Sequence, residues 1–271
     1  MRIVIIGGGF LGQLLHTLWP TARVFDWRPR APVALARQYG PQYLWTPVGT
    51  LPHREFTVYT SVDGKVPTEE SILAYKHKVG KEHDNSDWRA QFVQVMPGYE
   101  CALPPNRVEY GRRIIHINWD THRLNMADSR SEPYDALIST VPLDSLLSMC
   151  GFKQVEDNRL KSRPIYLATE ASPTPTHGNM FVDYVADPGT AVYRRTGRDD
   201  QVHVESLHFQ AHLPTVKILP GKIYPHPDVE ALLVRLRLID IYCLGRFGTW
   251  SPDELAHETY RNAVALKEKL S

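Results

Sequence analysis

Gly7, Gly9 and Gly12 carry the spacing G-x-G-x-x-G, and Asp26 follows nineteen residues after the first of them. In such a pattern the first glycine permits a tight turn and the second lets a pyrophosphate approach the backbone. The third lets helix and strand pack closely, and the acid accepts from ribose hydroxyls. The chemistry that fits is dinucleotide binding, with the unpaired amides at the helix start around Phe10 and Leu11 turned to the phosphates. A merely structural turn is the competing reading. A second set of candidates is cationic. Arg194, Arg195 and Arg198 form a short cluster, and Arg246 follows an apolar run. Guanidinium forks suit a carboxylate or phosphate. A solvated hairpin beside Gly197, Asp199 and Asp200 is the alternative for the cluster, and a salt bridge closing a sheet edge is the alternative for Arg246.

Other chemistries are excluded. The 12 histidines include no HExxH, and His203, His208 and His212 fall in or after a strand-like alternation, so no metal is expected. The three cysteines, Cys101, Cys150 and Cys243, are far apart and form no CxxC, which fits a reduced, cytoplasmic protein without disulfides. Neither GxSxG nor a P-loop occurs. With 31 Lys+Arg against 30 Asp+Glu, a broad electrostatic grip on nucleic acid or on an anionic membrane is not expected. No apolar run reaches membrane-spanning length, and the apolar start runs straight into glycines, unlike a signal peptide. The expected partner is a small-molecule substrate; a homodimer stays open.

The elements that must position these residues alternate in type. Ile3–Ile6 is a short apolar run, as in a strand buried on both faces. Leu11, Leu14, Leu15 and Leu18 give one apolar helix face, stopped by Trp19-Pro20. A second strand, 22–25, closes on Asp26. Further strands are expected over 134–142 and 238–244, the latter running into Gly245 and Arg246. A final helix is expected to begin at Ser251-Pro252-Asp253-Glu254, where Ser caps, Pro takes the first turn and Glu254 reaches back. Runs at 164–168, 179–186 and 202–209 read as strands of a separate antiparallel sheet.

This layout resembles the FAD-binding fold of the amine-oxidase and protoporphyrinogen-oxidase group, and within it the UDP-galactopyranose mutases most. The resemblance rests on Asp26-Trp27-Arg28 after the second strand and on Tyr39-Gly40-Pro41-Gln42-Tyr43-Leu44-Trp45-Thr46. It rests also on Asp63-Gly64-Lys65, on Gly178 to Tyr184, on Tyr224-Pro225 followed by Asp228, and on Gly245-Arg246. It implies an α/β chain with a Rossmann-like FAD domain, a parallel sheet flanked by helices, and an inserted, mainly antiparallel β substrate domain. The FAD domain would be discontinuous (1–45, 105–150 and 235–271), and 46–104 with 151–234 would form the substrate domain.

The resemblance implies FAD as cofactor, held by Gly7, Gly9, Phe10, Leu11, Gly12, Asp26, Trp27 and Arg28. Ile114 would run under the adenine, and Gly245, Arg246 and Glu254 would lie at the flavin. Tyr184, Tyr193, Tyr224 and Trp250 could wall the flavin pocket, with plain core packing as the alternative. Where mutases carry two histidines near the flavin, this chain has Gln42 and Trp45; where they carry a phosphate-binding tyrosine, it has Pro252. Arg194 is the nearest counterpart of the substrate-site arginine, and the stretch between Trp45 and Arg54 is short. The implied activity is a FAD-dependent oxidoreductase acting on an amine, amino acid or alcohol carbon, free or attached to a larger molecule. Arg194, Arg246, Trp45 and Gln42 are its catalytic candidates. A mutase-type, non-redox flavin isomerase and a catalytically lapsed flavin-binding protein are the alternatives.

Overall fold

The computed structural model describes residues 1–29, 43–80, 92–103, 107–152, 160–172, 176–210 and 215–270. β1 (Ile3–Ile6) is apolar on both sides because both sides are covered. Val4 and Ile6 face one core with Leu137 and Ile241, whereas Ile5 faces another with Val24 and Ile138. β1 lies between β2 (Arg23–Asp26) and β9 (Ala136–Ser139), both parallel to it. With β5 (Val108–Tyr110) and β15 (Ile241–Cys243) they make a five-stranded parallel sheet in the order β15-β9-β1-β2-β5.

Helices α1 (Phe10–His16) and α5 (Ala256–Leu270) cover the face of Ile5, through Leu15 and Ala263. The other face carries an antiparallel meander, β6 (Ile114–Asn118), β7 (Arg123–Met126) and β8 (Ser131–Pro133), with α3 (Leu143–Met149) and α4 (Val229–Arg237). Ile117, Leu124, Leu143 and Leu236, each fully buried, join these pieces into one core.

The second sheet has seven strands in the order β14-β10-β13-β12-β11-β3-β4. They are β3 (His53–Val62), β4 (Val95–Cys101), β10 (Ser162–Ala171), β11 (Met180–Tyr184), β12 (Val192–Arg198), β13 (Gln201–Ser206) and β14 (Val216–Ile223). All neighbours are antiparallel except β11 and β3. Helix α2 (Glu69–Val79) lays Tyr75 and Val79 on one face of this sheet. Thr68 and Ser71 cap it reciprocally, and Gly80 ends it in the left-handed region (φ 68°).

Three local expectations are corrected. α1 stops at His16, because Thr17 Oγ donates to the Leu14 carbonyl at 2.6 Å and turns Leu18 out of the helix. The strand expected over 238–244 is only Ile241–Cys243, since Asp240 takes a positive φ of 56° and breaks the run. The last helix begins at Ala256 rather than Ser251. There the Glu258 carboxylate accepts from the Leu255 amide at 2.8 Å, and Glu254 is occupied elsewhere. Among the described residues no helix is long and apolar enough to cross a membrane, and no cluster of potential ligands could hold a metal ion.

Candidate functional site

The glycine turn between β1 and α1 is held by steric necessity. Gly7 adopts φ +99°, and a Cβ on Gly12 would lie 1.8 Å from the Gly7 carbonyl oxygen, so only glycine fits there. A Cβ on Gly8 would meet a Val108 methyl at 2.4 Å, a constraint not apparent from the motif. Gly9 is different: its Cβ would touch only an Arg28 guanidinium nitrogen, at 3.4 Å. The turn is therefore packed from below and open above Gly9, the shape a pyrophosphate needs. Thr140, just past β9, braces it by donating to the Gly7 carbonyl at 3.0 Å.

Asp26 is buried at the end of β2, but its carboxylate serves its own chain. One oxygen accepts the Gly8 amide (2.9 Å) and Arg28 Nη2; the other accepts the Arg28 amide and Nε, both at 2.9 Å. Four donors fill the acceptor capacity of a carboxylate. The expectation that Asp26 meets a ribose directly is thus modified: a ribose hydroxyl must displace the Arg28 guanidinium, which is partly exposed. The strap after β5 closes behind this pair, with the Arg112 amide on the Asp26 carbonyl at 2.9 Å. Ile114 follows in β6 and packs into the core, whereas Trp27 stands exposed on the rim.

The turn after β15 abuts the glycine turn. A Cβ on Gly245 would lie 2.1 Å from Leu11 Cδ2, and Phe10 packs beside it against Leu14, Leu44 and Tyr260. Glu254 does not reach back to Ser251. Its carboxylate is held by the hydroxyls of Thr249 and, at 2.7 Å, Thr259, which lock the Gly245 turn onto α5. Trp250 is core, fully buried and donating to the Tyr224 carbonyl at 3.0 Å, so the packing alternative holds for Trp250.

The two arginines named from sequence come together where the sheets meet. A bulge in β12 leaves both Tyr193 and Arg194 opposite Glu205 of β13. Tyr193 donates its hydroxyl to one Glu205 oxygen, and Arg194 donates Nε (2.8 Å) and Nη2 to the other. Burial works to lower the Arg194 guanidinium, but Glu205 and then Tyr193, Tyr184 and Tyr75 hold it well above its ordinary value. Among the described residues Arg246 has no such partner. Burial and then the like charge of Arg194 press it below the usual guanidinium value, against weaker help from Asp253 and Glu205. A guanidinium keeps its proton at any working pH, so Arg246, whose side chain reaches solvent, adds a second positive charge beside Arg194.

Phenol rings surround the pair. Tyr75 and Tyr184 pack edge to face at 5.1 Å with Phe92 against both, and burial raises the hydroxyls of Tyr43, Tyr75, Tyr184 and Tyr193. Trp45 lies beside Tyr43, which is within electrostatic reach of Arg194, and stacks on His257 of α5 at 6.4 Å. Gln42, with the Tyr39–Pro41 part of its segment, lies outside the described residues. Arg195 is exposed, and Arg198 pairs with Glu100 (2.8 Å) and the Phe56 ring (4.6 Å), its buried Nε having no hydrogen-bond partner among the described residues, so the cluster divides, with Arg194 the one held at Glu205. Sequence reasoning missed Glu205 and Tyr75. The only signal for Glu205 was a charge at an inward position of the 202–206 alternation.

No family model matches the chain, and no curated protein matches it by sequence. Solved structures do. A reduced UDP-galactopyranose mutase aligns with a TM-score of 0.61 at 13% identity, over 99% of this chain and 95% of that one. A CLA-producing fatty acid isomerase from P. acnes aligns at 0.54 and 11% identity, over 99% and 98%. CtdE in complex with FAD aligns at 0.46 and 8% identity, over 99% and 84%. The first two likenesses are likenesses of fold: a parallel sheet with a separate, mainly antiparallel sheet over it.

Proposed function

We propose that the chain is a FAD-dependent oxidoreductase whose substrate is a small polar molecule bearing an anionic group. The carrying observation is the glycine turn, closed beneath Gly12 and open above Gly9, beside a buried acid and joined through Leu11 to the Gly245–Arg246 turn. Residues 1–45, 105–150 and 235–271 would hold the cofactor, and 46–104 with 151–234 would cover it. Gly7, Gly9, Gly12 and the first amides of α1 fit the pyrophosphate; Asp26, Trp27 and Arg28 fit the adenosine end. When bound, FAD would supply an acceptor for hydride from a carbon attached to nitrogen or oxygen.

The chain's own residues would bind and orient. Arg246, and Arg194 through its outer edge, attract the substrate anion. Tyr75, Tyr184 and Tyr193 keep their protons at neutral pH because burial raises them, so they donate hydrogen bonds and exclude water. Glu205 is engaged by Tyr193 and Arg194 and is not free to act as a base. A protein that offers orientation and charge but no ready base suits chemistry borne by a cofactor.

A mutase-type reading is favoured by one observation, the convergence of Arg194 and Arg246, which would suit a diphosphate. Anaerobic mixing with a panel of amines, amino acids and alcohols separates the two. Bleaching of the flavin bands by a panel member supports the oxidoreductase; turnover of UDP-galactofuranose by dithionite-reduced protein alone supports the mutase. A colourless protein that rejects added FAD refutes both.

A further inference from the structure

We propose that Arg163 and Lys222 form an oxyanion-binding subsite beside the Arg194–Arg246 pair, reading a carboxylate or phosphate group of the substrate. The inference deepens the proposed function and rests on that seam between the sheets being the substrate site. Arg163 of β10 stands directly opposite Lys222 of β14, so both side chains leave the sheet on one face. Lys222 Nζ lies 4.2 Å from the centre of the Tyr193 ring, and Tyr193 donates to Glu205, the same carboxylate that holds Arg194. The two cations therefore border the site already described.

Arg163 carries the argument. Its Nε and Nη2 are sealed from solvent, yet neither has a hydrogen-bond partner among the described residues. These nitrogens form the edge that presents two parallel N–H donors, the fork that matches a planar carboxylate or two phosphate oxygens. Buried donors are nearly always satisfied, and a guanidinium cannot escape by losing its proton. An orphaned fork next to a second cation is a place that an anion completes. The backbone is built for the position. The β10–β14 register breaks between Arg163 and Ile165, and a Cβ on Gly221 would lie 2.4 Å from the Ile165 amide. The strands touch there, and the bulge re-aims Arg163 out of the regular alternation.

Calorimetric titration of the purified chain, supplied with FAD, with inorganic phosphate and separately with acetate tests this. Saturable binding of at least one anion is expected, weakened roughly tenfold or more in Arg163→Gln and several-fold in Lys222→Gln. Preference for phosphate or acetate tells which oxyanion the subsite takes. The anion-free melting temperature of Arg163→Gln should equal or exceed that of the wild type, because an unsatisfied group is removed. Anion binding indifferent to Arg163→Gln, absence of binding by either anion, or a melting temperature several degrees lower in the variant overturns the proposal. FAD uptake is read in the same samples by absorbance. Phosphate binding that depends on Arg163 in a chain that rejects FAD would sink the flavin reading and leave the subsite standing; FAD uptake with anion binding indifferent to Arg163 would do the reverse.

Discussion

Replacing Asp26 by Asn separates a residue that holds its own turn from one that waits for a ribose. The carboxylate accepts two backbone amides, from Gly8 and Arg28, and two guanidinium donors. Asn keeps one oxygen, so whichever way its amide turns, one backbone N–H and one guanidinium N–H face an NH2 group. The stranded backbone donor costs about 1–3 kcal/mol. The lost ion pair adds only about 1 kcal/mol, because the Arg28 side chain is 36% exposed and screened. A total near 2–4 kcal/mol corresponds to roughly 5–15 °C in melting temperature for a chain of this size. The assay is thermal unfolding by circular dichroism without FAD, followed by FAD titration of wild type and variant at a temperature where both are folded. Weaker FAD binding is expected as well, but it does not discriminate. If the cofactor-free variant melts within about 2 °C of wild type, the saturated carboxylate described above is not the native arrangement, and the reasoning fails.

The glycine turn predicts a split between neighbours. Gly9→Ala should melt like wild type yet bind FAD at least tenfold more weakly, since its methyl enters the open cradle; Gly12→Ala should lose both stability and FAD, having no room against the Gly7 carbonyl. Equal effects of the two, by melting and flavin titration, would refute the assignment of the open side. At the arginine pair, Arg194→Ala should destabilise by about 1–3 kcal/mol, less than for a sealed pair because Arg194 is 37% exposed. Arg246→Ala should leave urea stability unchanged or higher while weakening substrate, seen as a raised KM. Buried His203, which shares a hydrogen bond with Thr169 at 3.2 Å, has its imidazole lowered below the usual 6.5 by burial. Its contribution to stability is complete above pH 6.5 and is lost as pH falls through the folded value. Urea unfolding between pH 5 and 8 should show this loss, and His203→Gln should flatten it.

Much of this chain was written in short-range pattern. The G-x-G-x-x-G spacing and the apolar 3–6 run determine a strand, a turn and a helix, because each is a local steric or burial demand that residues within a few positions satisfy. The apolar stretches at 134–142 and 238–244 likewise announced strands covered on both faces, although the first spans only Ala136–Ser139 and Asp240's left-handed backbone shortened the second. The Ser251–Glu254 reading failed for an instructive reason. A capping box is a local proposal, and Glu254 had a better offer from Thr249 and Thr259, the second brought near only by the packing of α5 on the Gly245 turn.

What only the tertiary structure decided is pairing across distance. That Tyr193 and Arg194 both meet Glu205 follows from a one-residue bulge, invisible in sequence because alternation would send the two to opposite faces, while Arg198 is drawn off by Glu100. That Glu205 belongs to the same cluster, and that Arg246 from the turn after β15 lies within electrostatic reach of Arg194 with no ion pair of its own among the described residues, follows from long-range packing. Sequence fixes which groups can carry charge. The fold decides which charges must face one another, and so where a ligand is wanted.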